Sequence, residues 1–320
     1  MNTSATMQAM VSNFLAERRR LGFELIASGR TLMNFARYVD TVDDHGPLTV
    51  ALMAQWARQD KWARGDPTTW ARRLKLLRPF TRYLRQFEPR TEVPDESVFG
   101  PIQERLTPHI YREQEIVDLL AAARALGSPG GLRPATYETL FGLIAAAGLR
   151  VSEAVHLLET DVDLKLGLLT IRRTKFAKSR QLPLHPSTLE ALRCYRHQRN
   201  LHVAVTPEMP FFVSSKGTGL SLRQVARVFV GLRQRLGWVS RGGHDQPRIH
   251  DLRHTFAVRR VLLWQTQGTT VDQAMLALST YMGHAKISNT YWYLTAVPEL
   301  MAVAAGQFEQ FALGREVQNV

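Results

Sequence analysis

Four short stretches of the chain gather side chains able to hold an anion, pass a proton or attack as a nucleophile. In Ala147 to Glu153, Arg150 lies in a turn ahead of a helix start, with Ser152 placed to cap that helix. A helix start offers backbone N–H groups and a positive dipole end, which suits an anion, although an arginine there is also a common surface residue. In Arg172 to Leu184, the five basic residues Arg172, Arg173, Lys175, Lys178 and Arg180 crowd a hairpin, more than solubility requires. A hairpin of this kind can enter a DNA groove. In Arg248 to Phe256, His250 and Arg253 stand three apart, so on a helix they share a face and could reach one phosphate. In Tyr281 to Leu294, His284 follows a glycine and precedes two tyrosines, Tyr291 and Tyr293.

The third stretch has a rival reading. His250 and His254, four apart with Asp251 between them, imitate a two-histidine metalloprotease helix with Asp in place of the usual Glu. The shorter acid, the cation of Arg253 beside the would-be metal and the lack of an obvious third ligand downstream all weigh against it. No metal and no other cofactor is expected.

Taken in order, Arg150, Lys175, His250, Arg253, His284 and Tyr293 resemble the catalytic set of the tyrosine recombinases, the family of phage-type integrases and Xer-type resolvases. Several spacings agree at once. Lys175 is followed by Arg180 and then Pro183-Leu184, as in that family's β-hairpin, and Tyr293 lies nine residues after His284. The resemblance spans about residues 105–300, and Asn289 to Ala296 is also similar to integrases of transposon type. The interval from Arg253 to His284 is longer than in compact members, and the extra residues, around Gln265 to Gln273, are expected to enlarge a loop.

The resemblance implies a fold, an activity and residue roles. A tyrosine hydroxyl would attack a phosphodiester, giving a 3'-phosphotyrosyl link and a free 5'-hydroxyl without ATP. Arg150 and Arg253 would hold the non-bridging oxygens, Lys175 would protonate the leaving 5'-oxygen, His250 would take the tyrosine proton and His284 would bond the phosphate. Glu153 would orient one of these cations. Tyr291 and Tyr293 point about 200° apart on a helix, and the nine-residue spacing selects Tyr293 as nucleophile. The implied partner is double-stranded DNA with inverted-repeat core sites, bound by a homo-tetramer on two synapsed sites, with related recombinases as further partners. A type IB topoisomerase-like nicking and closing enzyme and a catalytically silent DNA-binding regulator are the alternatives.

The elements that must position these residues follow from composition and periodicity. Of 320 residues, 41 are Lys or Arg and 28 Asp or Glu, a net charge of +13, while 45% are hydrophobic, so the chain is globular and basic rather than disordered. Thirty-four of the 41 cations are arginines, the side chain suited to bidentate phosphate contacts. One cysteine, Cys194, rules out an internal disulfide and suits a reducing cytoplasm, where association with the nucleoid is expected. The first ten residues lack the features of a secretion signal.

Residues 1–92 read as a helical DNA-binding domain of four or so helices, with apolar residues such as Met10, Phe14, Leu32 and Phe35 at helical spacing. Within it Arg72, Arg73, Lys75, Arg78, Arg82 and Arg85 form an acid-free run, read as a phosphate-tracking face as readily as a solvated one. Prolines 94, 101 and 108 mark residues 93–108 as an extended linker. Residues 109–320 read as the catalytic domain, mainly α with a small antiparallel sheet from Leu168 to Arg172 and Arg180 to Leu184, and a last helix beginning at Pro298.

Overall fold

The computed structural model describes residues 6–42, 46–59, 65–102, 105–127, 131–172, 179–267, 271–284 and 286–296. The chain separates into two compact units, residues 1–105 and 106–320. The helix expected from Pro298 onward lies outside the described residues.

The first unit packs α1 (Met7–Arg20), α2 (Ile26–Val42), α3 (Val50–Arg58) and α4 (Pro67–Leu84). Polar caps start three of them: Thr6 accepts from the Ala9 N–H, Thr49 from Leu52 and Asp66 from Thr68 and Thr69. Pro67, in the first turn of α4, has no N–H to leave unpaired there. The apolar faces meet around Phe14, Phe35, Trp56, Leu77 and Phe80, all at most 2% exposed. Each such burial stabilises by roughly 1.5–3 kcal/mol.

The stretch expected to be an extended linker is ordered at both ends. Arg78 Nε donates to the Pro94 carbonyl, and Phe99 packs against Trp70. Proline content removed donors there without preventing this docking, because carbonyls and aromatic rings made the contacts. At the other end, the Gly243 N–H donates to the Thr107 carbonyl within the second unit.

The second unit runs α5 (Glu113–Arg124), α6 (Leu132–Ala147), α7 (Val151–Val155), a 3-10 turn at Glu159–Asp161, β1 (Val162–Asp163), β2 (Leu168–Ile171), β3 (Arg180–Pro183), α8 (Pro186–Asn200), α9 (Leu222–Arg235), α10 (Ile249–Thr266), α11 (Val271–Met282) and α12 (Ser288–Ala296). The sheet is antiparallel in the order β1-β2-β3, with Leu169 paired to Val162 on one side and Leu182 on the other. Two of its strands match the expected segments; β1, only two residues long, has no periodicity to betray it. The core gathers Leu140, Phe141 and Ile144 of α6 with Tyr195, Phe211, Phe212 and Phe229. A smaller cluster of Phe256, Val258, Val261, Met275, Leu278 and Met282 joins α10 to α11.

Local detail departs from expectation in places. Ser152 is not the cap of α7; Arg150 occupies that position, and the Glu153 carboxylate accepts its N–H at 3.0 Å. In the interval around Gln265 to Gln273, where an enlarged loop was expected, α10 continues to Thr266 and α11 begins at Val271; residues 268–270 lie outside the described residues. Residues 201–221, within the domain read as mainly α, are irregular, yet Phe211, Phe212 and Val213 are fully buried. No helix among the described residues is long and apolar enough to cross a membrane.

Candidate active site

The carboxyl end of α11 organises the site. A helix leaves its last carbonyls without intrahelical partners, and their dipoles favour nearby cations. Here three consecutive carbonyls take three different arginines. Tyr281 accepts from Arg180 Nε at 2.8 Å, Met282 from Arg253 Nη2 at 2.6 Å and Gly283 from Arg150 Nη2 at 2.9 Å. These arginines come from β3, from α10 and from the turn before α7.

Glu153 faces the same three guanidiniums from the other side. Its Oε1 accepts from Arg150 Nη1 at 2.6 Å, and its two oxygens accept from Arg180 Nη1 and Nη2 at 3.1 and 3.0 Å; Arg253 Nη1 stands 3.8 Å away. Burial works to raise the Glu153 pKa, but the bonds and charge of Arg180, followed by those of Arg150, outweigh it and hold the carboxyl below its ordinary range. The group is therefore a fixed anion at neutral pH.

The two arginines expected to share a phosphate differ in depth. Arg253 is 2% exposed and also donates Nη1 to the Gly148 carbonyl at 2.7 Å, whereas the Arg150 side chain is 31% exposed. Arg253 forms the floor and Arg150 the opening. Two glycines permit this closeness. Gly148 (φ +61°) ends α6 where a Cβ would lie 2.3 Å from the Phe256 ring, and Gly283 (φ +64°) turns where a Cβ would lie 2.6 Å from Arg180 Nη1.

Helix α10 brings His250, Arg253 and His254 to this region. The His250 and His254 rings meet edge to face at 4.7 Å between centroids. His250 keeps one side open to water. Desolvation by the surrounding protein, then the charges of Arg253, Arg248 and Arg150, push its pKa down to about 4 despite Asp251. His254 is lowered further, by burial first and then by His250 and the arginines. Both rings are neutral at pH 7, so His250 is ready to accept a proton.

Asp251 is fully buried and bound to the Arg248 N–H and guanidinium at 2.7–3.4 Å. Its carboxylate is committed to the start of α10 and is not the base that a metalloprotease helix needs.

His284 follows the Gly283 turn, its N–H donating to the Ser279 carbonyl and its Nδ1 lying 2.7 Å from Thr290 Oγ1. Thr290 is fully buried on α12. A fixed Nδ1 partner sets the ring's orientation and leaves Nε2 as the other nitrogen. On α12, Tyr291 and Trp292 pack against the Phe256–Met282 cluster, and Trp292 also meets His254 at 5.6 Å. Tyr293 is on this helix, but its side chain lies outside the described residues, as do Arg173, Lys175 and Lys178 altogether.

The residues expected to grip DNA divide into two groups. Arg72, Lys75, Arg82 and Arg85 are exposed along one side of α4 and its end. Arg73 instead stacks over Trp56 at 4.0 Å, and Arg78 donates to Pro94 beside Glu96. Just after β2, Arg172 is half exposed and paired with the buried Asp161, whereas Arg180 of β3 turns inward to Glu153.

Sequence reasoning missed Thr290 and Gly283 beside these residues, and considered His254 only as a metal ligand. Gly283 had a signal, a glycine directly before His284. Thr290 had none, because a threonine in a helix announces no partner.

The match to known proteins agrees with this geometry. The model of the phage integrase family covers residues 110–299, well over half of the chain. An integrase/recombinase-type protein of Sinorhizobium fredii is 37% identical over 312 residues, 96% of this chain and 98% of that protein. The tyrosine recombinase XerD of Xanthomonas campestris pv. campestris is 32% identical over 238 residues, 72% of this chain and 68% of that protein. Among solved structures, the Tn1549 transposon integrase in complex with transposon right end DNA shares the fold at TM-score 0.66 and 15% identity, covering 96% of this chain and 100% of that one. The chain belongs to the phage integrase family and is a tyrosine-type site-specific recombinase.

Proposed function

We propose that the chain cuts and rejoins double-stranded DNA with Tyr293 as nucleophile and the Arg150–Arg253 pair as the phosphate clamp. The observation that carries this reading is the convergence of Arg150 and Arg253, 103 residues apart in sequence, on one carboxylate and one helix end beside His284. A phosphodiester bound there would meet two pre-aligned guanidiniums, and hydrogen bonds from charged donors are the strong ones.

The exchange balances without an added reactant. The Tyr293 hydroxyl oxygen attacks phosphorus, the bond from phosphorus to the 5'-oxygen breaks, and the DNA 3' end becomes a phosphotyrosyl ester. The tyrosine proton passes to neutral His250, and Lys175 supplies a proton to the leaving 5'-oxygen. Reversal with a different 5'-hydroxyl completes strand exchange. Negative charge building on the transition state is met by Arg150 and Arg253, with His284 as a further donor. Tyr291 packs against the α10–α11 cluster, and the nine-residue interval from His284 supports Tyr293 as the attacking group.

DNA with inverted-repeat core sites, synapsed by a tetramer or with related recombinases, is the assembly this chemistry would serve, in the compartment that holds the DNA. The exposed α4 cations would track its phosphates.

A substrate nicked near the cleavage position traps the covalent adduct and tests the reading. Wild-type protein is expected to form it in the presence of EDTA, Tyr293→Phe to bind DNA without forming it, and Tyr291→Phe to retain it. Adduct persisting in Tyr293→Phe but lost in Tyr291→Phe would move the nucleophile, and an absolute requirement for Mg²⁺ would refute the mechanism.

A further inference from the structure

We propose that Arg180 is a positioning residue of the cleavage site: by clamping Glu153 to the turn after α11, it keeps Arg150 and Arg253 aimed at the phosphate. The inference rests on the assignment of those two arginines as the phosphate clamp.

Composition placed Arg180 among the basic residues that would grip DNA, but its side chain is only 12% exposed. Its donors are spent inside the protein. Nη1 and Nη2 lie 3.1 and 3.0 Å from the two Glu153 oxygens, a fork-to-fork pair, while Nε reaches the Tyr281 carbonyl at 2.8 Å. A lysine could supply one of these bonds but not the planar set. The turn closes directly on this group, since a Cβ on Gly283 would fall 2.6 Å from Arg180 Nη1. That same Gly283 carbonyl holds Arg150.

Glu153 can accept about four hydrogen bonds, and Arg180 takes one site on each oxygen. With those sites vacated, the buried carboxylate would seek its remaining cations. Arg253, now 3.8 Å away, and Arg150, already bound, would be drawn onto it. Their guanidiniums would then turn from the phosphate to the carboxylate. Arg180 also begins β3, directly after the hairpin segment that carries Lys175. The clamp thus ties the strand behind the candidate general acid to the arginine pair.

Arg180→Lys in the full chain separates positioning from grip, because it keeps the charge and removes the fork. Adduct formation on the nicked substrate is measured at saturating DNA, and affinity is measured across a salt series. The expected result is a rate about 10- to 100-fold lower, the scale of a small misplacement of reacting groups. Affinity should stay within about 2-fold and the slope of log affinity against log salt should not change. Wild-type cleavage rates in Arg180→Lys, with Arg180→Gln losing affinity and salt slope, would make Arg180 a grip residue and overturn the inference.

Should Arg180→Gln alone fail to fold, the pair Glu153→Gln with Arg180→Gln removes the buried charge imbalance. Its rate should match that of Glu153→Gln alone, because the two act as one unit; additive losses would count against the clamp. Wild-type protein that forms no adduct would refute the underlying assignment, and the inference with it.

Discussion

The exposed arginines of α4, Arg72 and Arg82, and the arginines around Glu153 are the same side chain in opposite settings. Along α4, Arg72 and Arg82 stand in solvent beside Lys75 with no acid in the run. In the second unit, Arg150, Arg180 and Arg253 are held by a carboxylate and three helix-end carbonyls before any substrate arrives. An exposed cation keeps its hydration and its rotamer freedom, so it binds a polyanion through charge and is screened by salt. A buried guanidinium has given up both and is useful only in one orientation. On the function proposed above, the difference would separate binding from catalysis within a single residue type.

The largest effect that tests this contrast is expected from the arginines around Glu153. Arg150→Ala and Arg253→Ala should each slow cleavage by about 10²- to 10³-fold, the 3–4 kcal/mol of a lost transition-state donor, while DNA affinity is largely kept. They should differ in stability. Arg253→Ala leaves the Gly148 and Met282 carbonyls without their donor, at about 1–3 kcal/mol for each unsatisfied group, whereas the more exposed Arg150 should cost less. Equal urea midpoints for the two variants would erase the distinction between floor and opening.

Next in size is Thr290→Val, which keeps the shape but removes the partner of His284 Nδ1. Cleavage should fall by about 10-fold, from a histidine that no longer holds one orientation, with a stability loss of about 1 kcal/mol. An unchanged rate would show that His284 is oriented by the Gly283 turn alone.

The cationic setting of α10 predicts a pH dependence. The His250 pKa is about 4 in the folded chain against an ordinary 6.5, with desolvation first and Arg253, Arg248 and Arg150 behind it. The unfolded chain therefore binds more protons between these values, and stability must fall as pH is lowered from about 6.5 towards 4. His254 acts in the same direction. Urea midpoints that hold constant from pH 7 to 4.5 would contradict the neutral-histidine site. A DNA phosphate placed on the arginines should raise the His250 pKa, which NMR titration of the imidazole reads directly.

The smallest effect is expected on α4. Replacing Arg72, Lys75 and Arg82 with Gln should leave stability within about 0.5 kcal/mol for each change. The slope of log affinity against log salt should fall by about 0.9 for every phosphate contact removed. A large loss of stability instead would mean that these side chains do what Arg73 and Arg78 do, packing on Trp56 and Pro94.

Much of the fold could be read from local pattern. The first unit has the four helices expected, with Met10 and Phe14 on α1 and Leu32 and Phe35 on α2. Strands β2 and β3 have the expected bounds to within a residue. What failed was non-local. Ser152 is as good a capping side chain as any, but α7 starts at Val151 with Arg150 in the cap position, and Glu153 accepts the Arg150 N–H while serving the arginines. The segment containing Phe211 and Phe212 is buried without regular structure, which no local preference encodes.

The sequence alone determined which groups are available: the arginines, histidines and tyrosines of a strand-transferring site, an excess of fixed positive charge and enough apolar residues to bury two cores. Residue type and spacing suffice for this, because they set charge, proton affinity and the face of a helix on which a side chain stands. Only the tertiary structure decided what each arginine does. Arg150, Arg180 and Arg253 became one network because α11 ends where three chain segments meet, and its unpaired carbonyls need donors. Burial then made orientation, rather than charge, the property that distinguishes Arg180 from Arg72.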